Sequence, residues 1–133
     1  MQSAFIATVT AGCLLTVASA GAQLAVIEKG KPTTLRGEII EISCYQKKGV
    51  AEGTGAGHVA CAKECAKQGK AIGLLSEGDG LFKLVGSMTT DNNAKLVPYL
   101  GRIVDVTGVQ VFVSSSYAIR QSFEVQKVTP VKK

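Results

Sequence analysis

Hydrophobic residues in this chain come in short runs broken by polar and glycine-rich stretches, the pattern of a β protein rather than of long helices. In residues 33–45, Leu35, Ile40, Ile42 and Cys44 recur near period two and predict a long first strand, with Gly37 marking a bend or bulge. Lys47, Lys48 and Gly49, then residues 52–57, form a glycine-rich loop outside regular structure. Residues 58–68 are rich in Ala and Lys and predict a helix that Gly69 stops. Two apolar runs, 71–75 and 81–85, flank Gly78-Asp79-Gly80 and predict a hairpin. Asp91, Asn92 and Asn93 can cap a helix that Pro98 keeps short, ending near Leu100. Two long strands follow, 102–113 and 118–128, joined by a turn at Ser114, Ser115 and Ser116.

The first charged residue is Glu28, and everything from Ala4 to Ala22 is apolar or small. This stretch is short and weak for a membrane span, and it ends in Ala18-Ser19-Ala20 and Ala20-Gly21-Ala22, either of which suits a signal peptidase. Residues 1–22 are therefore expected to be a cleaved signal peptide and the protein to be exported, to a periplasm or the extracellular medium. Cys13 makes a poor lipid-anchor site: no branched residue precedes it at the usual place, and a strongly apolar run follows. The expected division is a lead-in over 23–32, one domain over 33–128 and a flexible tail over 129–133, with no membrane span after cleavage.

Five strands with a short helix between the third and fourth are the order of an OB-fold. Leu35-Arg36-Gly37-Glu38-Ile39-Ile40-Glu41-Ile42 resembles the first strand of such barrels, and Leu100-Gly101-Arg102-Ile103-Val104-Asp105-Val106-Thr107-Gly108 the entry to their fourth. Over residues 33–128 the chain resembles secreted bacterial OB-fold proteins. The resemblance implies a mainly β, five-stranded barrel, and the helix at 58–68 is an insertion between strands 1 and 2. A fold that carries so many functions does not choose among them.

The candidate chemistry lies on that inserted helix. At about 100° per residue, His58, Cys61 and Cys65 share one face, and Lys63, Lys67 and Lys70 lie opposite as a solvated face. The inward face carries no Leu, Ile or Phe, only Val59, Ala60, Ala62 and Ala66, which suggests that sulfur and imidazole anchor the helix. Cys44, ending the first strand, can reach the same face across the loop. Without Cys13, these are the three cysteines of the mature chain.

Two readings stay open. Cys44, His58, Cys61 and Cys65 match the ligand set of a tetrahedral zinc ion, or of copper(I), which prefers soft sulfur. Alternatively Cys44 forms a disulfide with Cys61 or Cys65, leaving one thiol free and stapling a binding module for a small molecule, glycan or partner protein. Cys61 and Cys65, four apart on one helix, point nearly parallel and pair poorly with each other.

Other chemistries lack their residues. With His58 the sole histidine there is no Ser-His-Asp arrangement, no C-x-x-C-H for haem and no thioredoxin-like C-x-x-C. Glu38, Glu41 and Asp105 alternate with apolar neighbours as on a solvated strand face, and residues 53–57 lack the Lys-Ser/Thr of a phosphate loop. Neither a catalytic constellation nor an organic cofactor is expected. The net charge of +5 invites thoughts of nucleic acid, but Phe82, Phe112 and Phe123 sit among aliphatics at core spacing rather than as a stacking platform.

Overall fold

A computed structural model describes residues 26–115 and 118–132. The expected signal peptide, Cys13 and Ser116 of the last turn lie outside the described residues.

The chain runs β1 (Val26–Glu41), α1 (Ile42–Gly53), a 3-10 turn (Ala56–His58), α2 (Val59–Lys67), β2 (Ile72–Ser76) and β3 (Gly80–Val85). Helical turns at Ser87–Thr89, Thr90–Asn93 and Val97–Tyr99 lead into β4 (Ile103–Ser115) and β5 (Ala118–Pro130). The five strands close into a barrel in the order β1-β2-β3-β5-β4, with β4 returning to β1. Only β3 and β5 run parallel; every other pair is antiparallel. This is the OB-fold-like barrel expected, with helices between strands 1 and 2 and helical turns between strands 3 and 4. No helix among the described residues is long and apolar enough to cross a membrane.

The barrel is filled by aliphatic side chains from all five strands, among them Ile39, Leu74, Leu84, Val106 and Val125. Phe82 and Phe123 meet edge to face inside it, ring centroids 6.2 Å apart. Phe112 departs from the expected core: it is 39% exposed, on the stretch of β4 paired with the start of β1. Across β1 and β4, Arg36 grips Asp105 through two hydrogen bonds of 2.7 and 2.8 Å.

The strands differ from the sequence reading at their ends. β1 begins at Val26, so Lys29 and Pro32 of the lead-in pair with β4 across a register shift. β5 continues to Pro130, where Thr129 pairs with Asp105 and Pro130 with Val104, taking two residues from the expected tail. β1 also stops earlier, at Glu41 instead of Tyr45. Its inward residues are Leu35, Gly37 and Ile39, one position off the Ile40, Ile42 and Cys44 series that suggested period two. Gly37 is no bulge: its register is continuous, but a Cβ there would strike the backbone of Leu75 on β2.

Residues 42–53, expected as strand and loop, form α1 instead. It bends at Gly49, whose φ of 71° is open to glycine at little cost. Asp91, Asn92 and Asn93 do not cap a helix; all three take left-handed φ of 51°, 53° and 61° and make the turn themselves. Asn and Asp tolerate that conformation best among residues with a Cβ.

Candidate metal centre

The site begins where β1 ends. Glu41 is completely buried, and its carboxylate caps α1 by accepting the backbone N–H groups of Ser43 at 3.0 Å and Cys44 at 2.8 Å. The Ser43 hydroxyl donates to the same carboxylate at 2.8 Å. Burial raises the carboxyl pKa, but hydrogen bonds from Cys44 and Ser43 outweigh it and hold the group below its ordinary value. A carboxylate expected on a solvated face is thus an internal anchor that fixes Cys44 in the first turn of α1. The signal was an acceptor side chain two and three residues ahead of the N–H groups it binds, hidden by the strand-like alternation around it.

The second side of the site is α2. Ala62 and Ala66 are 2% and 0% exposed and belong to the barrel core, so small side chains let the helix dock closely without bulky ones. Asn93 ties down its C-terminus, its side-chain amide donating to the carbonyls of Ala66 at 2.9 Å and Lys70 at 3.0 Å. The expectation that sulfur and imidazole must anchor this helix is therefore corrected: alanine packing and the Asn93 bonds do so. Cys61 and Cys65 lie one turn apart along one flank, Cys61 exposed and Cys65 half-buried.

The three sulfurs converge. Cys44 Sγ lies 3.9 Å from Cys61 Sγ and 4.0 Å from Cys65 Sγ, and all three fall within 4.8 Å of one another. Three thiolates about 2.3 Å from a shared ion stand about 4.0 Å apart if trigonal and about 3.8 Å apart if tetrahedral. These residues could therefore hold a metal ion with little movement. No two sulfurs are at bonding distance; all three cysteines are free thiols.

His58 stands apart from that set, and neither ring nitrogen is within 4.8 Å of all three sulfurs. It precedes α2 at the end of the 3-10 turn rather than within the helix. The residue is only 6% exposed, yet its Nε2 is buried with no hydrogen-bond partner and its side chain makes no capping bond. His58 and Cys61 both border a groove of about 490 Å³, whose walls also include Lys48, Ala51, Glu52, Gly55 and Gly57.

Cys44 is the innermost of the three sulfurs, on a residue only 8% exposed. Burial pushes its thiol pKa up strongly, and the Glu41 carboxylate and neighbouring Cys61 and Cys65 sulfurs push it further. The free protein holds this thiol protonated at neutral pH. A bound cation would offset that by neutralising the thiolate.

The chain matches no protein-family model, no curated protein and no solved structure.

Proposed function

We propose that this protein is an exported, non-enzymatic member of the OB-fold superfamily that binds one zinc or copper ion through Cys44, Cys61 and Cys65, with His58 as fourth ligand. The observation that carries the reading is the convergence of three reduced sulfurs, from α1 and α2, at spacings a metal–thiolate centre requires. For His58 the support is its unpartnered Nε2: an unmet buried acceptor or donor costs about 1–3 kcal/mol, which a bond to an ion would relieve. The leader sequence supports export, since residues 1–22 carry no charge and end in small-residue cleavage sites.

The second reading is the stapled binding module, favoured by the position of Cys44 within about 4 Å of both other sulfurs. Elemental analysis and thiol counting on protein taken from the exported fraction separate the two. The metal centre predicts one zinc or copper per chain and, after stripping and denaturation without reductant, three reactive thiols. One thiol and no metal would establish the staple. His58→Ala should lower metal affinity at unchanged thiol count; unchanged affinity removes His58 from the ligand set and leaves the three cysteines.

A further inference from the structure

We infer that the centre is loaded and unloaded from one side, through the groove bordered by His58 and Cys61, by a thiol that takes the place of His58 on the ion. This inference rests on metal binding at the three cysteines and concerns how that centre exchanges its ion.

The ligands are graded in exposure. Cys44 is 8% exposed and held from behind by Glu41, Cys65 is half-buried, and Cys61 is open to solvent. Of the four groups only His58 and Cys61 border the groove. Its volume, about 490 Å³, falls within the range of about 300–1,000 Å³ found for small-molecule sites. Its walls carry one cation and one anion, Lys48 and Glu52, so they do not repel a zwitterionic thiol. His58 borders the groove and stands outside the three-sulfur cluster, so an incoming ligand can replace it while the three sulfurs stay in place. Soft sulfur is the ligand that competes best for zinc or copper(I) against the three thiolates already there.

The exchange is a ligand substitution without redox change. A bond forms between the incoming sulfur and the ion, the bond from His58 Nε2 to the ion breaks, and the thiol proton leaves to water. The ion keeps its oxidation state. Cys61 then releases next on the same side, and Cys65 and Cys44 last.

Gly57 provides a clean test. It borders the groove, its φ is unexceptional, and a Cβ there meets no atom beyond its chain neighbours within 4 Å, so Gly57→Leu has room to project and narrow the groove. Ala51→Phe, at an exposed position of α1, narrows it from another wall. The full mature chain is loaded with zinc and mixed with L-cysteine and a chromogenic chelator, and release is followed by absorbance. In the native protein the release rate should rise in proportion to L-cysteine, and each variant should cut that slope about tenfold at unchanged zinc affinity. Equal slopes in native and both variants, or release indifferent to thiol, overturn the inference. Discharge by L-cysteine but not by the same thiol on a protein-sized carrier identifies free thiols as the exchange partner; discharge by both extends it to a cysteine on a partner protein. A native chain that takes up no ion overturns the metal reading, and this route with it.

Discussion

The carboxylate of Glu41 accepts the backbone N–H of Cys44 at 2.8 Å, and this one bond ties the buried end of the first strand to the backbone of the residue that carries the central thiol. The same carboxylate receives Ser43 through backbone and hydroxyl. The turn from β1 into α1 is thus organised around an acidic side chain with no exposure to solvent.

Removing that side chain should loosen α1 and displace Cys44 together. Glu41→Ala leaves the buried N–H groups of Ser43 and Cys44 without their acceptor and should cost about 1–3 kcal/mol, measured by urea denaturation of the metal-free protein. Glu41→Gln keeps one oxygen as acceptor and should cost less. If Glu41→Ala matches the native midpoint, the cap does not hold α1.

Acid should weaken the fold through its carboxylates. Glu41 and Asp105 both have folded-state pKa values held below their ordinary 4.5 and 3.8, Glu41 by hydrogen bonds that outweigh its burial and Asp105 by Arg36. A depressed carboxyl pKa contributes stability that is present above the unfolded value and lost as pH falls through the folded one. The melting temperature of the metal-free protein should therefore hold from neutral pH down to about pH 5 and fall below it. In Glu41→Gln the acid decline should be shallower. An identical decline in that variant assigns the acid sensitivity elsewhere.

Asn93 should influence the thiol cluster from a distance. Asn93→Ala removes two bonds to the end of α2, one of them to the carbonyl of Ala66 beside Cys65, and puts an alanine at a φ of 61°. The cost should be about 2–4 kcal/mol, and zinc affinity should fall with it because Cys65 loses its fixed position. Asn93→Gly, free of the backbone strain, should recover part of the stability but not the affinity. Calorimetry and competition titration read the two effects separately.

Metal removal should expose the link between binding and folding. At free zinc about 100 times the dissociation constant, the bound form gains about 2.7 kcal/mol over the free form. Treatment with a strong chelator should lower the melting temperature accordingly. Cys65→Ala should show little response to either zinc or chelator. A native chain whose melting temperature ignores both carries no ion at this site.

Much of the barrel was legible because strands announce themselves locally. The alternation in residues 102–113 and 118–128 and the Gly78-Asp79-Gly80 turn between apolar runs predicted β4, β5 and the β2–β3 hairpin to within a few residues. The start of the site was not legible. Ile40, Ile42 and Cys44 imitate a strand face, and β1 ends at Glu41 where its buried carboxylate accepts the N–H groups of Ser43 and Cys44, which the first turn of α1 brings within reach. The docking of α2 was not legible for a similar reason. Alanine looks like a weak anchor along a sequence, and it becomes a strong one only where the facing surface permits close approach.

By itself the sequence determined the β architecture, the place of the inserted helix and the set of residues with metal-binding chemistry, because periodicity, turn residues and side-chain type are properties of neighbours along the chain. The tertiary structure alone decided that three sulfurs meet while His58 stands off with an unpartnered nitrogen, and that an acidic residue lies beneath them. Those outcomes depend on how α1 and α2 are seated against the closed barrel, and the distances across that seat are set by packing between segments far apart in sequence.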